Sequence, residues 1–135
     1  MFDCSESHIF YAAVEECPIF GVGLEVATAR HKCHDGVALP LIVRQCIDFI
    51  EENALMQEGI YRVSGVKSKV NKLRAAYDSS ATRNSVALAD YEAAVVASVL
   101  KQFLRELPAP VLTRDLTPRL EGLKISWSHM RSFHK

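Results

Sequence analysis

The sequence has no long apolar run and no excess of charge of either sign. No stretch comes near the roughly 18 apolar residues that cross a bilayer, so we expect no integral membrane segment. The first residues lack a basic segment followed by an apolar one, which is the pattern of a secretory signal, and we therefore expect a cytoplasmic location. Because 16 Lys and Arg are balanced by 16 Asp and Glu, the chain as a whole has no electrostatic attraction for nucleic acid.

Paired cysteines and glycine-rich loops are also missing. The cysteines at positions 4, 17, 33 and 46 form no Cys-x-x-Cys pair, so free thiols in a reducing compartment are expected. His31-Lys32-Cys33-His34 brings three potential ligands together, but the spacing fits no zinc pattern and we expect no metal site. Without a glycine-rich phosphate loop, the chain is expected to be neither a GTPase nor an ATPase and to bind no cofactor.

What remains is the composition of one globular domain. Of the 135 residues, 49% are hydrophobic and 24% are charged, which is typical of a folded chain rather than a disordered one. The apolar residues recur mainly at spacings of three and four, which indicates α-helices. Alternation over four or more residues, which would indicate strands, is hard to find. The predicted fold class is therefore mostly α.

Three helices are clear in the pattern, and a shorter one is expected over residues 24–32. The first begins at Pro40, since proline suits the first helical turn. Ser64 is the candidate cap of the second, and Asp90 is a good N-cap for the third, which ends at Pro108. The apolar positions of the three are, in order, Ile42, Val43, Cys46, Ile47 and Ile50; Val66, Val70, Leu73 and Tyr77; and Val95, Val96, Val99, Leu100, Phe103, Leu104 and Leu107.

Arg62 lies on a short segment between two glycines, Gly59 and Gly65. Its apolar neighbours can fix the loop to a core, and the glycines permit backbone angles that other residues resist. An exposed guanidinium on a fixed loop suits insertion into another protein's phosphate site, as an arginine finger does. The spacing alone equally fits an ordinary surface ion pair with Glu58 or another acid.

Lys101 and Arg105 are four residues apart and share one face of the third helix. They could grip a partner or brace the Arg62 loop through its carbonyls, or they could simply form a solvated helix face. A further basic group most simply forms a solvated face, with steering toward an acidic partner as the alternative. Its members are Lys67, Lys69, Lys72 and Arg74.

Two segments carry a resemblance to a known family. They are EGIYRVSG at residues 58–65 and VASVLKQFLRELPAPVLT at residues 96–113, with a helix between them. In this order they resemble the RhoGAP domain family, the activators of Rho-type GTPases. PIFGV at residues 18–22 and IYRVSGVKSKV at residues 60–70 further resemble the Ral-binding protein branch of that family.

The resemblance implies an all-α helical bundle that binds Rho-family small GTPases in their GTP-bound state and speeds their GTP hydrolysis in signal transduction. Matched residue by residue, Arg62 would be the arginine finger. Lys101 and Arg105 would support the finger loop and touch the GTPase. The chain would then be an activator of another protein's reaction rather than an enzyme, and its partner could recruit it to membranes.

The resemblance covers about residues 18–118, so we expect an extension at 1–17, a RhoGAP-like domain at 18–118 and a divergent tail at 119–135. An Asn-containing motif in the second half of the family's domain is not found, which indicates a domain shortened in its C-terminal half. Two alternatives to an active domain therefore stay open. One is a non-catalytic module that binds a GTPase or another protein, and the other is a helical fragment with no activity of its own.

Overall fold

A computed structural model of the chain describes residues 17–111 and 113–122. Within these residues the fold consists of α-helices and short 3-10 turns, without a strand, and one isolated bridge joins Lys32 to Pro40. The predicted all-α class is confirmed. Between residues 24 and 106 the elements are α1 (Leu24–Arg30), α2 (Leu41–Ala54), α3 (Lys67–Asp78), 3-10 turns at Arg83–Ser85 and Leu88–Asp90, and α4 (Ala93–Glu106).

The starts of the helices differ from the sequence prediction at two places. Asp90 ends a 3-10 turn instead of capping α4, because Leu88 packs against the core; the N-cap of α4 is Glu92. Ser64 does not cap α3, whose N-cap is Val66, with an extended backbone and no side-chain hydrogen bond. Pro40 precedes α2 as its N-cap, as the proline position suggested.

The core is built around α4, which packs against both α2 and α3. Its apolar stripe is buried from Val95 to Phe103, which is fully enclosed, whereas Leu104 is 40% exposed. Cys46 on α2 is buried as the pattern predicted, and burial raises the pKa of its thiol to about 12. An Ala at Phe103 would cost about 3–5 kcal/mol of folding free energy, because the cavity could close only in part.

The segment before α1 is fixed to α3 and α4. The N–H groups of Ile19 and Phe20 both donate to Oδ1 of Asp78, at 3.0 and 3.1 Å. The Phe20 ring meets Phe103 edge to face, with 5.6 Å between ring centroids, and the guanidinium of Arg74 lies 4.8 Å from its centre. The apolar, turn-rich segment at residues 18–23 thus lies against the helical body.

Arg83 joins three parts of the chain from a buried position. Its side chain donates hydrogen bonds to the carbonyls of Tyr77 and Asp78 at the end of α3, of Arg30 at the end of α1, and of Cys17. Burial lowers the pKa of its guanidinium, against the opposing charge of Asp78, but an arginine remains protonated at such values. The guanidinium therefore satisfies carbonyl groups that the helix ends leave unpaired.

Candidate functional site

The loop that carries Arg62 begins with a tight turn at Gly59. The φ angle of Gly59 is +71°, in the left-handed region that favours glycine. Its carbonyl accepts the N–H groups of Arg62 at 2.7 Å and of Val63 at 3.0 Å. Any side chain at position 59 would strain this turn, so the loop shape depends on the glycine.

The far end of the loop is pressed against the backbone of α4. The N–H of Gly65 donates to Oγ of Ser98 at 2.9 Å. A Cβ placed on Gly65 would lie 2.6 Å from Cα of Val95 and 2.9 Å from the carbonyl oxygen of Ala94. The φ angle of Gly65 is not positive, so its backbone conformation alone does not require glycine. Glycine is required here because the backbones of the loop and of α4 approach too closely to leave room for a Cβ.

Lys101 fixes the loop from the other side of Arg62. Its Nζ donates to the carbonyl of Tyr61 at 2.8 Å, which joins α4 to the residue immediately before Arg62. Ile60, one residue earlier, is buried in the core. The backbone is thus held on both sides of Arg62, by Lys101 before it and by Ser98 after it. The hydrogen bond from Lys101 to the carbonyl of Tyr61 is the kind of contact by which the sequence analysis suggested that Lys101 could brace the loop.

Arg62 itself is exposed, and its guanidinium lies over Gly59. Its Nη2, Nε and Cζ atoms would be 3.5, 3.6 and 3.8 Å from a Cβ on that glycine. Among residues 17–111 and 113–122, the Arg62 side chain forms no ion pair and no hydrogen bond. The surface ion pair that the spacing left open, with Glu58 as one partner, is therefore not present in the part of the chain that the structure describes.

Arg105 lies one helical turn after Lys101 and faces a polar groove. The groove has a volume of about 440 Å³ and separates the start of α3 from α4. Arg105 is exposed and, within the described residues, its side chain has no ion-pair partner. The polar and charged side chains that line the groove are Ser64, Lys67, Asn71, Ser98, Lys101, Gln102, Arg105 and Glu106.

The basic group of α3 is solvated at its three lysines but not at Arg74. Lys67, Lys69 and Lys72 are exposed, as predicted; Lys69 pairs with Glu92, and Lys67 lines the groove. Arg74 is half-buried, and it pairs with Glu106 at 2.7 Å and with Asp78 at 3.6 Å. The solvated-face prediction therefore fails only at Arg74, which helical rotation places on a different side of α3.

The ion pair between Arg74 and Glu106 joins α3 to α4 beneath the groove. Burial by itself would raise the pKa of Glu106, but hydrogen bonds from Arg74 and Gln102, together with the charge of Arg74, hold it below the ordinary 4.5. Glu106 is therefore ionised at neutral pH and is already occupied by Arg74. Because the charge of Glu106 is paired with Arg74, the side chains of Lys67, Lys101 and Arg105 leave the groove positively charged.

The His31–Cys33–His34 cluster lies away from this site, at the end of α1. His31 is buried; burial, followed by the charges of Arg83 and His34, lowers its pKa from 6.5 to about 4. The thiol of Cys33 donates to the carbonyl of Leu39 at 3.2 Å. Within the described ranges no three His, Cys, Asp or Glu side chains could hold a metal ion together, and no helix is long and apolar enough to cross a membrane.

Sequence reasoning proposed Arg62, Lys101 and Arg105 as site residues. Lys101 contacts the residue before Arg62, and Lys101 and Arg105 line the same groove. Sequence reasoning missed Ser98 and the close approach at Gly65. Ser98 could have been found only by noticing a serine among the apolar residues of α4, three positions before Lys101. That signal is weak, because a serine inside a helix usually bonds to its own backbone.

Comparison with known proteins finds similarity to the RhoGAP domain and to RalA-binding proteins. The sequence model of the RhoGAP domain matches residues 40–131. RalA-binding protein 1-A of Xenopus laevis is 57% identical over 104 residues, which cover 77% of this chain and 15% of that protein. RalA-binding protein 1 of Drosophila melanogaster is 41% identical over 104 residues, which cover 77% of this chain and 16% of that protein. The chain thus spans less than a fifth of the length of either relative.

A solved structure shows the same likeness in three dimensions. The crystal structure of human Rho GTPase activating protein 15 superposes with a TM-score of 0.61 at 29% sequence identity. The match covers 85% of this chain and 52% of that chain. The domain boundaries expected at residues 18 and 118 stay a prediction, since the matched segment at 40–131 has different limits. The chain belongs to the RhoGAP domain family, and RalA-binding proteins are among its relatives.

Proposed function

We propose that this chain activates GTP hydrolysis by Rho-family small GTPases in their GTP-bound state and supplies Arg62 as the arginine finger. In this role it activates another protein's reaction and has no substrate of its own. The observation that carries the proposal is a backbone held on both sides of an arginine whose side chain has no partner within the described residues. A cytoplasmic location and recruitment to membranes by the GTPase belong to the same proposal.

The chemistry explains why such an arginine would matter. During GTP hydrolysis negative charge is spread over the oxygens of the transferring γ-phosphoryl, and a fixed guanidinium stabilises that charge. A finger of this kind contributes on the order of 10³–10⁵ in rate, equivalent to about 4–7 kcal/mol of barrier. An arginine already paired with an acid would first have to break that pair, whereas Arg62 has no such pair in the described residues.

Lys101 and Arg105 have different parts in the proposal. Lys101 holds the carbonyl of Tyr61 and so orients the loop, while its exposed surface can also touch the GTPase. Arg105 is available to contact an acidic or carbonyl-rich surface on the partner. The cationic groove between α3 and α4 adds an attraction for an acidic partner surface that should weaken as salt is added.

The test is single-turnover GTP hydrolysis by a panel of Rho-family GTPases, each preloaded with GTP and mixed with the chain or a variant. We expect the chain to accelerate at least one of them and Arg62→Ala to abolish the acceleration. Arg44→Ala is the matched control, because it also removes one exposed arginine, which pairs with Asp35 and Asp48 near the start of α2. Full acceleration by Arg62→Ala would overturn the finger role.

The alternative of a non-catalytic binding module is supported by one observation. The matched solved structure is nearly twice as long as the part this chain covers, since only 52% of it is matched. If elements needed for catalysis lie in the other half, the chain could bind a GTPase without accelerating hydrolysis. Measurable binding to a GTP-loaded GTPase with an unchanged hydrolysis rate would favour this function over activation.

A further inference from the structure

Ser98 lies on the face of α4 that also carries Lys101 and Arg105. Its Oγ accepts the N–H of Gly65 at 2.9 Å, and its hydroxyl donates to the carbonyl of Ala94 at 2.7 Å. The donor and one acceptor site of the hydroxyl are thus both used by backbone groups, which fixes the side chain in one orientation. The contact crosses from a helix to a loop 33 residues away in sequence.

The hydrogen bond between Ser98 and Gly65 attaches the Arg62 loop to α4 on the C-terminal side of Arg62. Lys101 holds the chain one residue before Arg62, through Tyr61, and Ser98 holds it three residues after, through Gly65. At the same point the backbone of Gly65 touches that of Val95 so closely that a Cβ would have no room. The segment between the two attachments is therefore short and has little freedom to shift.

We infer that Ser98 is a positioning residue for Arg62, acting through the Gly65 amide to hold the loop in the place from which the guanidinium reaches a partner's γ-phosphoryl. The inference rests on the proposed function. Ser98 carries no charge and contributes through the loop backbone, which separates its role from that of Lys101 or Arg105.

The expected consequence is a loss of rate rather than of binding. Without the hydroxyl, the Gly65 amide loses its acceptor and the loop can occupy several positions, of which only some present Arg62 correctly. The side chains that would meet the partner are unchanged. The hydrolysis rate at saturating chain should therefore fall, while the half-saturating concentration of the chain should stay the same.

The competing explanation is that Ser98 merely bonds to its own helix. Thr28 in α1 provides a matched control, because its hydroxyl also donates to the carbonyl four residues earlier, Leu24, at 2.8 Å, and has no hydrogen bond to the Arg62 loop. If the helix bond alone mattered, Thr28→Ala and Ser98→Ala would affect only stability, and to a similar degree.

The experiment is single-turnover hydrolysis with Ser98→Ala, Ser98→Thr, Thr28→Ala, Arg62→Ala and the Arg62→Ala/Ser98→Ala double variant. We expect Ser98→Ala to lower the saturating rate about fivefold, the effect of one neutral hydrogen bond. Ser98→Thr, which keeps the hydroxyl, should restore most of it, and Thr28→Ala should match the unsubstituted chain. In the Arg62→Ala background Ser98→Ala should cause no further loss.

Two results would overturn the inference while leaving the proposed function intact: an unchanged saturating rate in Ser98→Ala, or the same loss with and without Arg62. A chain that accelerates no GTPase would instead overturn the proposed function, and the positioning role of Ser98 with it. Amide hydrogen exchange then shows whether the restraint itself exists. Faster exchange at Gly65 in Ser98→Ala supports the restraint, and unchanged exchange contradicts it.

Discussion

Arg62 and Arg83 are two arginines that the fold treats in opposite ways. Arg83 is 4% exposed, and it donates to carbonyls at the ends of α1 and α3 and in the segment before α1. Arg62 is exposed, and within residues 17–111 and 113–122 its side chain has no hydrogen-bonding partner. The buried guanidinium holds elements of this chain together, whereas the exposed one is left available to another molecule. Stability and function should therefore separate cleanly between the two.

The largest expected effect comes from removing the exposed arginine. Arg62→Ala should reduce the acceleration of GTP hydrolysis by a factor on the order of 10³–10⁵, because the charge on the γ-phosphoryl would lose its guanidinium. The free energy of unfolding should change by less than about 0.5 kcal/mol, since no hydrogen bond or ion pair of the described residues is lost. The rate of GTP hydrolysis and the free energy of unfolding in urea, measured on one preparation, check both expectations. A large loss of stability would show that Arg62 has a structural role.

The buried arginine should show the reverse. Arg83→Met should lower the free energy of unfolding by about 3 kcal/mol, because several buried carbonyls would lose their donor. Any molecules that remain folded should still activate the GTPase, since the Arg62 loop is held by α4 rather than by Arg83. Equilibrium urea unfolding, with activity corrected for the folded fraction, measures both. Lost activity in fully folded Arg83→Met protein would contradict the separation.

The free energy of unfolding should depend on pH through His31, which is buried near Arg83. His31 beside Arg83 has its pKa lowered from 6.5 to about 4 in the folded chain, so between these values the unfolded chain binds more protons. The stabilisation is fully present above pH 6.5 and is lost as the pH falls toward 4, by up to about 3 kcal/mol.

Urea unfolding at a series of pH values measures this loss. His31→Leu should flatten the profile between pH 6.5 and 4, because the titrating group is gone. A further decline at lower pH is expected in both proteins, since the carboxyl of Glu106 loses its ion pair with Arg74 as it is protonated below 4.5. An unchanged slope in His31→Leu between pH 6.5 and 4 would contradict the assignment.

A smaller effect than that of Arg62→Ala is expected at Lys101, which holds the loop before Arg62. Lys101→Met keeps the length of the side chain but removes the donor to the carbonyl of Tyr61. Losing one hydrogen bond from a charged donor should lower the saturating rate about tenfold, with a change in stability of less than about 1 kcal/mol. A variant as fast as the unsubstituted chain would show that Gly59, Ile60 and Gly65 hold the loop without Lys101.

The helical class and most of the core faces of α2, α3 and α4 could be predicted from sequence, because the apolar residues repeat with the helical period over many turns. Val66 and Leu104, which the pattern also placed on these faces, are 53% and 40% exposed. Helix starts were less predictable. Asp90, a good capping residue, instead ends a 3-10 turn two residues before α4, in which Leu88 is half-buried against the core. The helix-capping propensity of Asp90 depends on the residue type alone. The 3-10 turn at Leu88–Asp90 instead involves packing of Leu88 against core residues that are distant in sequence.

The candidate site divides in the same way. The candidate roles of Arg62, Lys101 and Arg105 came from the residues and the order of two motifs, and these roles stay predictions. The match to the RhoGAP domain shows the family. The contact between Ser98 and Gly65 could not be predicted, because it joins residues 33 apart and depends on how closely the loop approaches α4. The ion pair between Arg74 and Glu106 was missed for the same reason, since these residues are 32 apart in sequence.

The most direct test of the central claim is the single-turnover rate of GTP hydrolysis by a responsive Rho-family GTPase at saturating concentrations of the chain, Arg62→Ala and Arg83→Met. The account predicts loss of acceleration in Arg62→Ala with binding retained, and near-normal acceleration by folded Arg83→Met. Acceleration that survives in Arg62→Ala at saturation would contradict it, because the exposed arginine would then contribute nothing to the reaction.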